Sequence, residues 1–313
     1  MDPVSRWLII TRASVFTMTL ISGLIGGLLA LSPAAAGPAN ALYFALALVG
    51  IVTAHAANNM INDYFDVESG VDTDDYVRSQ YAPHPVLSGL ISKRGLLAAI
   101  AVVQLLDLAI LVYLALARGP AVVVFALLGL FISVFYVAPP FRLKHRGLGE
   151  PGVFVVWGPL MIGGVYFVTT GTLPLWVLVA SLPYAILVSS VLIGKHVDKH
   201  DVDAAKGIHT LPVILGEARS RALNQALMIA FFALVAALVL AGTLGVFALL
   251  VFLAVPRLVQ VLRVYRAPRP AERPPDFPIW PLWYVAWAFY LIRRAGTLFV
   301  LGLILNAIVP ISL

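Results

Sequence analysis

The chain has 313 residues, of which 61% are apolar and only 12% are charged, and its mean hydropathy is +0.96. A soluble domain carries about twice that charged fraction, so the composition excludes a soluble globular protein and indicates a polytopic membrane protein. The absence of cysteine excludes disulfides, thiolate metal sites and cysteine nucleophiles. The net charge of +6 is explained by the loops described below, and we expect no nucleic-acid partner.

Nine apolar stretches are long enough to cross a bilayer, near residues 14–33, 41–62, 95–117, 120–139, 152–171, 174–193, 223–242, 244–265 and 295–311. They predict an all-α protein with nine transmembrane helices, in a single domain over residues 1–313. The first stretch is longer than the core of a signal peptide, so we interpret it as a retained span. The aromatic stretch 277–291 could be an interfacial segment or part of a tilted last helix.

The connections between these stretches alternate between short, nearly uncharged loops and long polar ones. All Lys and Arg residues except Arg118 lie at the N-terminus or in or beside the long connections. By the positive-inside rule, the N-terminus and the long loops are predicted to be cytoplasmic and the C-terminus to be outside. Two of the long loops are rich in acids, and both therefore lie on the same face of the membrane.

The first acidic loop follows the second span, in NNMINDYFDVESGVDTDD (58–75). On a helix, Asn59, Asn62, Asp63 and Asp66 fall within about 100° of arc. Carboxylates at a membrane edge are costly unless a cation neutralises them, and oxygen ligands at this spacing suit Mg²⁺. A solvated acidic loop is the alternative.

Gly70 allows a turn after this helix, which would bring Asp72 back as a further metal ligand. Asp74 and Asp75 are predicted to be solvated, because runs of charge commonly lie in solvent.

The second acidic loop follows the sixth span, in GKHVDKHDVDAAKG (194–207). Asp198 and Asp201 are one helical turn apart, whereas Asp203 lies about 140° from Asp198 on an unbroken helix. All three carboxylates can converge only if the helix ends near His200. We predict that they form a second set of metal ligands; a mixed-charge loop held by salt bridges is the alternative.

Three basic residues are predicted phosphate ligands: Arg12, Arg78 and Lys195. Arginine suits a diphosphate because it forms bidentate hydrogen bonds. The remaining basic residues, including those of PPFRLKHRGLGE (139–150), are interpreted as determinants of topology.

Some single residues are less informative. His55 and His84 are expected to be hydrogen-bonded structural residues, because the histidines show no metal-binding spacing. Asp107 is a lone acid within the third span and could face a cavity. Tyr64 and Tyr136 are candidates for stabilising a cation by their ring faces.

The two acidic loops resemble the paired Asp-rich motifs of the UbiA superfamily of intramembrane prenyltransferases. NDYFD (62–66) followed by GVD (70–72) is similar to the first motif, and Asp201 and Asp203 before KGIHTLPVILG (206–216) are similar to the second. WLIITR (7–12) resembles the start of the family's first helix. GLGEPGVFVVWGPLMIGGVYFVTTG (147–171) resembles the MenA-type branch, which prenylates 1,4-dihydroxy-2-naphthoate.

The resemblance implies helices around a central cavity that opens to the cytoplasmic side, with lipid bilayer around them. It also implies Mg²⁺-dependent transfer of a prenyl group from a prenyl diphosphate to an aromatic acceptor. Metal binding and catalysis would be carried out by Asp63, Asp66, Asp198, Asp201 and Asp203, with Asp72 as a further metal ligand. The diphosphate would be bound by Arg12, Asn59, Asn62, Arg78 and Lys195.

Two other functions are compatible with the sequence. The second motif departs from the MenA-type pattern, with Lys199 where that branch has Asp and Lys195–His196 in place of two amides. This leaves open a different acceptor, or cyclisation of the prenyl chain on its own double bonds. An ion or proton transporter would instead need acids across the membrane depth, and here only Asp107 lies within a span.

Overall fold

The fold is that of a computed structural model, which describes residues 1–73, 77–277 and 279–311 apart from the side chain of Arg78. Asp74, Asp75 and the side chain of Arg78, for which the sequence predicts roles, lie outside the described residues. The α-helices in chain order are α1 Pro3–Ile10, α2 Phe16–Leu29, α3 Ala41–Glu68, α4 Val77–Tyr81, α5 Lys93–Arg118, α6 Ala121–Phe135, α7 Gly149–Val155, α8 Met161–Thr170, α9 Leu175–Asp198, α10 His200–Ala205, α11 Leu211–Leu215, α12 Glu217–Leu240, α13 Val255–Arg266 and α14 Trp283–Ile308.

The predicted all-α architecture is confirmed, because no strand occurs within these ranges and one isolated bridge joins Arg146 to His209. Among the described residues, 7 helical segments are long and apolar enough to cross a membrane. Two of them combine consecutive helices, Gly149–Thr170 with α7 and α8, and Val246–Arg266 with α13. The number rises to 8 if the bent pair Pro3–Ile10 and Ala13–Leu29 is one span. Helix α6 is apolar but has 15 residues. The predicted number of nine spans is therefore not confirmed by helix length.

Two helices extend beyond their apolar stretches. Helix α3 continues to Glu68 and ends before Gly70, whose φ of +70° favours glycine. Helix α14 begins at Trp283 rather than near 295, so residues 283–291 of the aromatic stretch belong to the last helix. Arg293 and Arg294, which the sequence places at the end of a loop, consequently lie inside α14.

Helix α9 is the centre of the fold. Of the most apolar 18 residues of α9, 72% are buried, whereas the corresponding share in α5, at the periphery, is 6%. Tyr184, Leu187 and Val188 of α9 belong to the main hydrophobic core, which also includes residues from α2, α12, α13 and α14. Burial of this kind fixes the position of the loop that follows α9.

The span between Gly149 and Thr170 is interrupted by a π-helical turn, Val156–Leu160, between α7 and α8. Pro159 lies inside it and has no N–H to donate, which disfavours regular α-helical hydrogen bonding. Ser22 of α2 donates a hydrogen bond to the carbonyl of Trp157 at 2.8 Å. The indole of Trp157 packs edge-on against His55, with ring centroids 5.2 Å apart.

A close approach of backbones joins α14 to the 3₁₀ segment Val246–Ala254. A Cβ added to Gly302 would overlap the carbonyl of Phe247 and lie 3.0 Å from Cα of Ala248. We expect Gly302→Ala to lower the free energy of unfolding by about 1–3 kcal/mol, as overpacking does. Thermal unfolding in detergent measures this change.

The matched control is Gly129→Ala in α6, where an added Cβ would meet nothing within 4 Å. Alanine has the higher helix propensity, so this variant should be as stable as the parent or more stable. Equal behaviour of the two variants would contradict the packing of α14 described above.

Candidate active site

Arg12 lies at a sharp bend between the first two helices. Its backbone is left-handed, with φ of 54°, and the helices on either side are bent by 63°. The guanidinium reaches α3, where Nε lies 3.2 Å from Oδ2 of Asp63 and a terminal nitrogen forms an ion pair with Oδ1. Asn59 supports the bend by donating a hydrogen bond to the carbonyl of Thr11 at 3.0 Å.

Lys144 pairs with the second acid of α3. It lies in the 3₁₀ turn Leu143–His145, and its Nζ is 3.1 and 2.9 Å from the two carboxylate oxygens of Asp66. Burial lowers the pKa of Lys144, but the negative charges of Asp66 and Asp203 outweigh it and raise the pKa above its ordinary value. Lys144 therefore carries its charge while buried.

The turn at Gly70 brings Asp72 back beside α3, as the sequence predicts. The amide of Asp72 donates to the carbonyl of Asp66 at 2.9 Å, and the carboxylate is buried. Burial raises the pKa of Asp72, but a hydrogen bond from His84 and the charges of Lys144 and Arg12 outweigh it and hold the pKa at about 2. Asp72 is therefore ionised at neutral pH.

His84 lies between two of these acids. Its Nε2 is 3.4 Å from Oδ1 of Asp63 and 3.3 Å from Oδ2 of Asp72. Its Nδ1 accepts hydrogen bonds from the amides of Val86 and Leu87 at 3.2 and 3.3 Å. Because an amide can only donate, Nδ1 of the neutral ring is unprotonated and Nε2 carries the proton. The protonated Nε2 of His84 therefore lies between the two acids.

The second acidic loop contributes one buried acid. Helix α9 ends at Asp198 and α10 begins at His200, so the helix breaks where the sequence requires. Asp203 is completely buried, and its Oδ1 is 3.4 Å from Nζ of Lys199. Burial lowers the pKa of Lys199, and the nearby charge of Lys144 lowers it further, against the opposing effect of Asp203.

The two acidic loops are also joined directly. Nζ of Lys206 donates hydrogen bonds to the carbonyls of Val71 and Gly70, the latter at 3.4 Å. Val71 and Ile208 form a small buried apolar contact. The first and second motifs therefore meet, although 135 residues separate Lys206 from Val71 in the chain.

Two predicted metal ligands do not join this cluster. Both carboxylate oxygens of Asp198 accept hydrogen bonds from the first amides of α14, at 2.8 Å from Tyr284 and 2.9 Å from Val285. The side chain of Asp201 is 94% exposed and contacts His200. The break after α9 turns Asp198 towards α14 and Asp201 towards the exterior, so only Asp203 points inward.

The cluster closes the polar end of a large cavity. A small recess of about 30 Å³ is lined by Arg12, Asn62, Asp66, Asp72, Tyr81, Tyr136, Lys144, Lys195, His196 and Lys199. A cavity of about 1740 Å³ extends from it among the helices and shares Arg12, Asn62, Tyr81, Tyr136 and Lys195 with the recess. Asn59 and Asp107 line the large cavity only. Tyr64 packs instead in an apolar cluster around Met60.

Several site residues were not identified from the sequence. Lys144 was interpreted as a determinant of topology, and Lys199 as a replacement for an acid. Glu150 and His196 form a buried pair at 2.6 Å, which no spacing rule indicates. One signal could have indicated these residues. Lys144 and Glu150 lie in a loop that the sequence predicts on the same side of the membrane as the two acidic loops.

The fold and this site define a multi-pass membrane protein whose intramembrane cavity ends in a buried cluster of acids and bases. The chain belongs to the UbiA prenyltransferase family, which matches residues 19–282. It is accordingly an integral membrane prenyltransferase.

The chain is similar to the 1,4-dihydroxy-2-naphthoate octaprenyltransferase of Bacillus subtilis, with 24% identity over 261 residues that cover 81% of this chain and 80% of the relative. A UbiA homologue from Aeropyrum pernix matches with a TM-score of 0.68 and 18% identity, over 92% of this chain and 96% of that one. A homologue from Archaeoglobus fulgidus bound to GPP and Mg²⁺ matches with a TM-score of 0.59 and 17% identity, over 94% and 99%. At these identities the structures support the fold alone.

The position of Asp198 predicts a structural role. Asp198→Ala removes the acceptor of two helix-terminal amides, so we expect it to lower the free energy of unfolding by about 1–2 kcal/mol. If Mg²⁺ raises the melting temperature of the parent protein, the increase should be the same in the variant. Thermal unfolding with and without Mg²⁺ measures both quantities. Loss of the Mg²⁺ effect in the variant would instead support the predicted role of Asp198 as a metal ligand.

Proposed function

We propose that the protein transfers a prenyl group from a prenyl diphosphate to an aromatic acceptor, with 1,4-dihydroxy-2-naphthoate as the leading candidate. The observation that supports this most is the continuity of the polar recess with the large cavity, through Arg12, Asn62 and Lys195. One end offers charge to a diphosphate, and the other offers apolar walls to an isoprenoid chain. The similarity to a naphthoate prenyltransferase supports the choice of acceptor.

The recess also suits a divalent metal. Asp66 and Asp72 line it, and Asp63 and Asp203 are two further buried carboxylates from the two loops. Oδ1 of Asn62 is buried and accepts no hydrogen bond among the described residues. Hard oxygen ligands of this kind match the preference of Mg²⁺. These residues would hold Mg²⁺, which when bound neutralises the diphosphate as a Lewis acid.

The basic side chains of the recess can stabilise the diphosphate as a leaving group. Arg12 and Lys195 line both the recess and the cavity, so they can contact a diphosphate whose chain lies in the cavity. Positive charge placed there stabilises the negative charge that develops as the C–O bond breaks. Lys144 and His84 keep Asp66 and Asp72 in place. Arg78 stays a predicted ligand from the sequence.

The cavity walls can stabilise the allylic cation and protect it from water. Tyr81 and Tyr136 lie where the recess meets the cavity, and an aromatic face near that point can stabilise positive charge. Apolar walls beyond them exclude water, which would otherwise capture the cation. The aromatic acceptor then attacks the cation and loses a proton.

An assay with labelled prenyl diphosphate, Mg²⁺ and a panel of acceptors tests the proposal. We expect a prenylated product only when an aromatic acceptor such as 1,4-dihydroxy-2-naphthoate is present, and no product after removal of Mg²⁺ with EDTA. A cyclic hydrocarbon formed without any acceptor would show cyclisation instead.

Substitution of the acids tests the site itself. Asp66→Asn should lower kcat by at least about 100-fold, since even residues that only support metal ligands cost about 10–100-fold. Asp201→Asn, the same chemical change at an exposed position, should leave turnover and Mg²⁺ dependence unchanged. Gel filtration confirms that both variants are folded. Similar activity in the two variants would refute the assignment of Asp66.

A further inference from the structure

Two arginines lie inside membrane-spanning helices and line the cavity. Arg257 is near the start of α13, and Arg293 is in the middle part of α14; both lie on the cavity wall with Gln260. Ionisable residues within spans are costly to place there and generally mark a functional site. The proposed transfer reaction has so far used neither residue.

Neither arginine has an acidic partner in the part of the chain that the structure describes. Arg257 donates a hydrogen bond from a terminal nitrogen to the carbonyl of Tyr290 at 3.1 Å, and its guanidinium lies 4.0 Å from the ring centroid of Tyr290. Arg293 lies 5.7 Å from the ring centroid of Phe289. These contacts orient the guanidinium groups but leave their charges without a counter-ion.

The position of the arginines relative to the second acidic loop follows from the packing of α14. The backbone of Val285 lies against Gly194, since a Cβ there would be 3.2 Å from Cα of Val285, and Lys195 is the next residue. Arg293 follows Val285 by two helical turns, or about 12 Å at 1.5 Å per residue. A two-ring aromatic acid and an extended arginine side chain together span a comparable distance.

Helix α2 packs against α3, α8 and α14. Gly23 and Gly26 of α2 closely approach side chains of α3 and backbone of α8, and Ile21 approaches Gly296 of α14. Beyond Met18, no described residue of α2 lines the cavity. The two arginines lie on the part of the cavity wall formed by α13 and α14, whereas the part formed by α3, α5, α6 and α8 is mostly apolar and is the more suitable one for an isoprenoid chain.

We propose that Arg257 and Arg293 bind the carboxylate of the aromatic acceptor. A carboxylate supplies the missing counter-ion and forms charge-assisted hydrogen bonds with a guanidinium, while Trp287 and Tyr290 on the same wall supply aromatic surface. The inference thus assigns two residues that would recognise the acid group of the proposed acceptor. This inference rests on the proposed function and specifies the acceptor of that site.

Binding without prenyl diphosphate tests this inference separately from turnover. The probes are 1-hydroxy-2-naphthoate and 1-naphthol, which differ by the carboxylate, and binding is followed by quenching of tryptophan fluorescence in nanodiscs of neutral lipid. Arg257→Gln and Arg293→Gln should each raise the Kd of the acid about tenfold, as loss of a charged hydrogen bond implies, and leave the Kd of 1-naphthol unchanged. Arg294→Gln, whose side chain is off the cavity wall, is the matched control.

The other outcomes are equally informative. An unchanged Kd of the acid, or equal losses for both probes, would overturn the inference. A dependence on phosphatidylglycerol content that the two variants abolish, with unchanged binding of the acid, would assign the site to a lipid phosphate instead. Selective loss of acid binding in a protein that prenylates no acceptor would uphold the anion site and refute the proposed function.

Discussion

The arrangement of the whole site depends on the pairing of buried acids with buried bases. Transfer of a charge out of water costs several kcal/mol, and removal of one partner from a buried pair leaves the other uncompensated. Asp63, Asp66 and Asp203 therefore each need a cation at a defined place. Arg12, Lys144 and Lys199 supply these cations. Arg12 and Lys144 are distant from their acids in the chain, so their pairs also fix how separate elements meet. Lys199 and Asp203 are only four residues apart and form a local pair.

This requirement explains local features that would otherwise be unfavourable. Arg12 and Arg142 both adopt left-handed backbone conformations, which non-glycine residues rarely occupy. The first bends the chain so that Arg12 reaches Asp63, and the second begins the turn that carries Lys144 to Asp66. Since Arg12 also lines the cavity, charge pairing connects the shape of the chain to its proposed chemistry.

The parts of this structure that local sequence determines were predicted well. Apolar length indicated the spanning helices, and the face shared by Asn59, Asn62, Asp63 and Asp66 followed from helical periodicity. The turn at Gly70 was correctly expected. These features depend on residues within one or two helical turns of each other.

The features that were missed depend on distant contacts. Asp198 was grouped with Asp203 because the two are close in the chain, but the amides that begin α14 lie 86 and 87 residues away and bind its carboxylate. In the sequence, Lys144 is indistinguishable from other basic loop residues, because its partner Asp66 lies 78 residues away in the chain. The start of α14 was placed too late because its first turns carry tryptophans and arginines instead of a continuous apolar run.

The contact between Lys206 and Val71 has a consequence for how ligands enter and leave. Neither loop can withdraw from the recess without breaking the hydrogen bonds to Val71 and Gly70 and exposing the Val71–Ile208 contact. Displacement of one loop would therefore disturb the other. If a diphosphate and its metal bridge the two loops, as proposed, their binding stabilises both loops in this position.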